Sequence, residues 1–146
     1  LKWMLSEETS LLSIIIVFVW KMLGYNIMII LAALQSVPRE VYEAAKMDRA
    51  GQVKTFFHVT IPMISPTLVF LITNNVTSSF CSFDIIDLMT KGGPKNSSNM
   101  MVYWIYENAF SYYRVGPAMA GAVVLLMLVG SISVLVFTIS NRKAHY

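Results

Sequence analysis

Residues 11–34 read LLSIIIVFVWKMLGYNIMIILAAL, an apolar run broken by one charge, Lys21. A helix rises about 1.5 Å per residue, so roughly 20 apolar residues cover the hydrocarbon of a bilayer. The length of this run therefore predicts a transmembrane helix rather than a strand or a short core helix. Two more runs pass the same test, ISPTLVFLITNNVTSSFCSFDII at 64–86 and the Gly/Ala/Val/Leu-rich stretch at 116–139. The expected fold class is all-α integral membrane, with three transmembrane helices, a polar segment at 36–62 and a second one at 87–115.

Composition agrees. Of 146 residues, 56% are hydrophobic and 13% charged, about half the charged fraction of an ordinary soluble domain. The net charge is +3 and the basic residues are scattered singly, which gives no support to a nucleic-acid surface. The single cysteine, Cys81, lies inside the second run. It has no Cys or His at ligand spacing, so no disulfide framework, metal site or cofactor is expected. Residues 1–10 carry neither an initiator Met nor a basic n-region, so the sequence is expected to be part of a longer one.

The loops carry a weak orientation signal. Arg39, Lys46, Arg49 and Lys54 lie between the first two runs and Arg142 and Lys143 in the tail, against Lys2, Lys91, Lys95 and Arg114 on the other side. Positive-inside bias then puts segment 36–62 and Tyr146 in the cytoplasm and Leu1 outside. Tyr103, Trp104, Tyr106, Tyr112 and Tyr113 gather ahead of the third run, as an interfacial belt would. Val102, Ile105, Tyr106, Ala109 and Phe110 recur there at helical spacing after the turn Gly92, Gly93, Pro94, with Ser98 as the expected cap. Gly116, Ala118, Ala120, Gly121 and Ala122 open the third span with small residues, which favour close helix approach in lipid.

Segment 36–66, SVPREVYEAAKMDRAGQVKTFFHVTIPMISP, is too polar to cross a membrane and too patterned for a linker. Ser36 is the expected cap of a short helix, with Pro38 in its first turn, Glu40 near its positive end and Gly51 at its close. Glu43, Ala44, Ala45, Asp48, Ala50 and Gly51, followed by Val59, Thr60, Ile61 and Pro62, resemble the EAA loop of permease subunits of binding-protein-dependent ATP-driven importers. Trp20, Lys21, Gly24 and Asn26 with LAALQSVP, and DLMTKGGP followed by Tyr106, Ala109 and Phe110, are similar to the sugar and glycerol-phosphate branch. The resemblance covers nearly the whole chain.

The resemblance implies the C-terminal half of a MetI-like permease bundle of about six spans. It implies a second permease subunit, an ATPase dimer, an external substrate-binding protein and a sugar or polyol-phosphate substrate, in the inner membrane of a prokaryote. In that family the loop is a cytoplasmic coupling helix that docks on the ATPase. Glu43, Ala44, Ala45, Asp48, Ala50, Gly51 and Pro62 are the residues it assigns to coupling. One position departs from the pattern, because Arg49 stands where Gly most often follows the Asp. Either Gly51 supplies the permissive backbone or Arg49 is an ordinary helical residue. A simpler alternative for the segment is an amphipathic helix lying on the headgroups.

Within the second run Asn75, Ser79 and Ser82 fall at i, i+4 and i+7 with Ser78 between them, on one helix face. Such weak, exchangeable hydrogen bonders suit a sugar-like substrate, and interhelical bonding alone is the competing reading. Lys21 costs about 2.5–3.5 kcal/mol at the centre of a span, so it needs water or a partner. Counting from Pro38 and Pro62 puts it level with Ser79, which makes it a candidate for the same path. The sequence has no Gly-rich phosphate loop, and a transport subunit rather than an enzyme is expected. An intramembrane serine hydrolase using Ser79 or Ser82 would lack a base, since His58 and His145 both lie outside the spans. A passive membrane scaffold would leave segment 36–62 unexplained.

Overall fold

The computed structural model describes residues 6–143, with side chains through residue 138. The expectations on Leu1, Lys2, His145 and Tyr146 lie outside these residues, as do the side chains of Arg142 and Lys143. All regular elements among the described residues are helical: α1 (Glu7–Ser36), α2 (Arg39–Met47), α3 (Gln52–Thr55), α4 (Ile61–Phe80), α5 (Phe83–Met89), α6 (Met101–Tyr106) and α7 (Val115–Lys143). Two π-helical turns, Phe56–Thr60 and Glu107–Ser111, interrupt them. Three helices are long and apolar enough to cross a membrane, Glu7–Ser36, Gln52–Phe80 and Val115–Thr138. The all-α, three-span fold class is thus the observed one.

Proline sets the first boundary. Val37 is extended at φ −72°, ψ 123°, because the ring of Pro38 disfavours a helical conformation in the residue before it. Ser36 does not cap the next helix as expected. It is the last residue of α1, and its hydroxyl donates to the Ala33 carbonyl at 2.7 Å, leaving Pro38 at the N-cap of α2.

The second span starts and ends earlier than 64–86. Pro62 has no N–H to give and its ring crowds the carbonyl four residues back. The chain accommodates this through the wider turn Phe56–Thr60, where the Ile61 N–H reaches the Phe56 carbonyl, so one continuous helical rod runs from Gln52 to Phe80. Its far end breaks at Cys81 and Ser82, the latter at φ −77°, ψ 63°, before α5 restarts at Phe83. Hydropathy is continuous across this break, which is why the sequence reading ran the span to residue 86. At this end Ser79 donates to Val76 O and Ser82 to Ser78 O, both at 2.7 Å. Such local side-chain bonds compete with the helical ladder.

The core lies toward the start of α1. Ile14 packs with Ile85, Ile86 and Tyr103, flanked by Phe18, Phe83, Met89, Met100 and Val102. The Tyr103 ring stacks on Phe83 at 5.9 Å, so this aromatic is core rather than interfacial belt, and burial pushes its phenol above the ordinary range. Ser98 does not cap the following helix either. It donates to Gly93 O at 2.7 Å and lies 2.8 Å from the Thr90 hydroxyl, closing the 90–98 loop, and α6 begins at Met101. The loop is fastened to α1 by Glu7–Lys95 at 2.7 Å and Ser10–Ser97 at 2.8 Å.

Small residues do let α7 approach, at Ala118, which is buried, and at Gly121. A Cβ on Gly121 would stand 2.7 Å from Trp104 Cζ3, inside contact distance, whereas one on Gly116 would meet open space.

Candidate functional site

Two arrangements carry the residues singled out by sequence. The first is the turn-helix-turn between α1 and the rod Gln52–Phe80. Helix α2 ends in a full left-handed cap: the Arg49 N–H bonds Lys46 O and the Ala50 N–H bonds Ala45 O, each at 3.0 Å. This is the paired 5→2 and 6→1 pattern that usually places glycine at the left-handed position. Here Arg49 occupies it, at φ 52°, while Gly51 is extended at φ −67° with nothing within 4 Å of an added Cβ. Neither sequence alternative for this position holds. Arg49 itself adopts the strained conformation, and Gly51 needs no glycine.

A hollow of about 330 Å³ separates α2 from the base of the rod, lined among others by Ala44, Ala45, Asp48, Ala50, Lys54 and His58. Four of the seven residues assigned to coupling therefore meet there, Ala44, Ala45, Asp48 and Ala50. Glu43 stands exposed on α2, Gly51 starts α3, and Pro62 lies further along the rod. The helix is pinned to the rod outside this hollow, where Thr60 Oγ1 donates to Tyr42 Oη at 3.4 Å. Met47 and Val53 were not singled out by sequence, yet they are 86% and 73% exposed beside this turn. Their signal was there to read, as apolar residues in a polar segment.

The second arrangement is the polar face of α4. Asn75 does not stand open. Its Nδ2 donates to Asn26 Oδ1 at 3.1 Å, and Asn26 Nδ2 returns a bond to Asn75 Oδ1 at 3.3 Å. Ser82 is buried, and its hydroxyl is taken by the Ser78 carbonyl. Thr77 reaches α7 at Ser133, 3.4 Å away. Lys21 finds the partner its cost demanded, an ion pair with Asp84 in the first turn of α5. Sequence reasoning missed Asp84 because the acid sits past the unforeseen break. Asn26 was noted only as part of a resemblance. Among the described residues no group of three or more His, Cys, Asp or Glu could hold a metal ion.

A family model described as binding-protein-dependent transport system inner membrane component matches residues 1–146. Curated relatives include the sn-glycerol-3-phosphate transport system permease protein UgpA of Pectobacterium atrosepticum and that of Yersinia enterocolitica, each 40% identical over 91% of this chain and 45% of its own length. The same-named protein of Escherichia coli is 35% identical over 99% of this chain and 50% of its own length. The chain thus spans about half the length of the curated relatives it matches. No solved structure matches it.

Proposed function

This chain belongs to the family of inner membrane components of binding-protein-dependent transport systems, and on that premise we propose that it is the C-terminal part of an ATP-driven importer's permease subunit. Its cargo in this reading is glycerol 3-phosphate or a closely similar polyol or sugar phosphate, after the relatives' names. It works with a second permease subunit, an ATPase dimer and an external binding protein. It hydrolyses nothing itself. Segment 36–62 and the chain end face the cytoplasm, and 87–115 faces outside.

One observation carries the coupling role: α2 is held at both ends and across its middle, yet its outward residues are free. Proline-terminated α1 fixes its start, the cap at Arg49 fixes its end, and Tyr42–Thr60 ties it to the rod. A push on exposed Glu43 and Met47 is then transmitted to α1 and to the rod rather than absorbed by a slack loop. Glu43, Ala44, Ala45, Asp48, Ala50, Gly51 and Pro62 are the proposed coupling set, extended here by Met47 and Val53.

For the path we take Asn75, Ser78 and Ser79 of α4, with Ser82, which the break after Phe80 removes from their helix face, and Lys21 of α1. Asn75 ties α4 to α1, Ser82 is bonded to the carbonyl of Ser78, and Ser78, Ser79 and Lys21 offer the exchangeable contacts. The test is Glu43→Lys in the complete transporter, with ATP hydrolysis and uptake measured side by side. Hydrolysis should persist while uptake falls, with the membrane helices still folded. Normal uptake with the ATPase co-purifying at unchanged yield would overturn the docking role.

A further inference from the structure

Resting on the anionic-cargo reading above, we propose that Asp84 is a specificity-determining residue, a built-in counter-ion that occupies Lys21 until the phosphate of the cargo displaces it. Two features of the pair point to exchange rather than to a fixed structural bond. Within this chain's own fold it is not packed in, since the Lys21 and Asp84 side chains are 49% and 56% exposed. A pair serving only to fasten α5 to α1 gains most when it is enclosed and further hydrogen bonded. The second feature is spare capacity. An ammonium has three donors, and among the described residues Lys21 gives one side-chain bond, to Asp84 Oδ2.

Fastening is also already provided by other groups. Ile14 and Phe18 of α1 pack on Ile85, Ile86 and Phe83 of α5, and Ser10 and Glu7 tie the same helix to the loop beyond α5. The ion pair adds little to that attachment. What it does add is a charge condition. A neutral polyol cannot separate Lys21 from a carboxylate, because its hydroxyls offer no net charge in return. A phosphate monoester carries about −1.5 to −2 near neutral pH and three acceptor oxygens, so it can replace Asp84 without leaving the lysine uncompensated. Asp84 then repels the cargo once Lys21 lets go, which favours onward movement over trapping.

The experiment uses the complete transporter in proteoliposomes with radiolabelled sn-glycerol 3-phosphate as the probe. Uptake is expressed per assembled complex for Lys21→Gln, Asp84→Asn and the exchanged pair Lys21→Asp with Asp84→Lys. Loss of the lysine should lower uptake about tenfold, the scale of a hydrogen bond to a charged group. Asp84→Asn should lower the cargo concentration at half-maximal rate, because the competing carboxylate is gone. The exchanged pair keeps the attraction between α1 and α5, so assembly and melting temperature should stay at wild type while uptake stays low. If the exchanged pair recovers both assembly and uptake, the residues are a structural pin and the proposal fails, with the importer reading intact. If the wild-type transporter takes up no glycerol phosphate, the cargo reading itself fails and this inference goes with it.

Discussion

Asn26 and Asn75 face each other across α1 and α4 and exchange both of their amide hydrogen bonds, at 3.1 and 3.3 Å. In hydrocarbon neither side chain has water to fall back on, so the pair sets the relative register of the two helices. Replacing either by Ala should cost about 0.6 kcal/mol and at most about 1.7. The double variant should cost scarcely more than one alone. Thermal unfolding in detergent of all four members of the cycle checks this, and additive losses would mean the amides do not act as a pair.

Ser79 is the sharper test of the path. Its hydroxyl is bonded only within its own helix, to Val76 O, so Ser79→Ala should leave subunit assembly untouched. Uptake should fall about 2- to 10-fold, the loss expected for one neutral hydrogen bond to cargo. A drop in assembly at normal uptake per complex would reassign the serine to packing.

Arg49 pays for a conformation that glycine adopts freely. A non-glycine residue in the left-handed region costs about 1–2 kcal/mol, so Arg49→Gly should stabilise the end of α2 by about 1 kcal/mol. Amide hydrogen exchange over residues 39–50 should slow about fivefold. Gly51→Ala should be neutral or slightly stabilising, because the position is extended and open. Destabilisation by Arg49→Gly would show that the guanidinium makes a compensating contact.

At Gly121, α7 lies against Trp104 and Ile105 of α6. Gly121→Leu should cost about 1–3 kcal/mol by overpacking against Trp104 and Ile105, and Trp104→Ala should partly relieve it. Gly116→Leu, on open ground, should be tolerated. Equal damage from both leucines, read by melting temperature, would remove the contact from the account.

Topology can be read with a membrane-impermeant thiol reagent in a Cys81→Ser background, needed because Cys81 is exposed in this fold. Cys placed at Asn96 should react from outside and Cys placed at Lys46 only after permeabilisation. The opposite pattern would invert the chain and end the coupling role.

The three long apolar helices and the small-residue approach of α7 were legible in the sequence because each depends on composition over a window. What escaped was decided by single backbone choices. Ser36 and Ser98 both had the chemistry of caps, but a carbonyl nearer to hand took each hydroxyl. Residues 77–82 read as part of one span reaching residue 86, yet the helix ends at Phe80. That displacement hid Asp84, and with it the partner of Lys21. Arg49 could not be placed from sequence, since nothing local announces that a charged residue will take a glycine's conformation.

The unbroken helix from Gln52 to Phe80 has a dimensional consequence. Gln52 and Ser79 are 79 − 52 = 27 positions apart on it, a separation of about 40 Å at 1.5 Å per residue. Tilting a strut of that length by about 5° sweeps its far end through about 3.5 Å, close to the contact distance between two carbon atoms. Small angular strokes at the Gln52 end therefore displace the Ser79 end by about an atomic diameter. Bending stiffness, rather than any chain of rearranging side chains, would then limit how faithfully the stroke arrives.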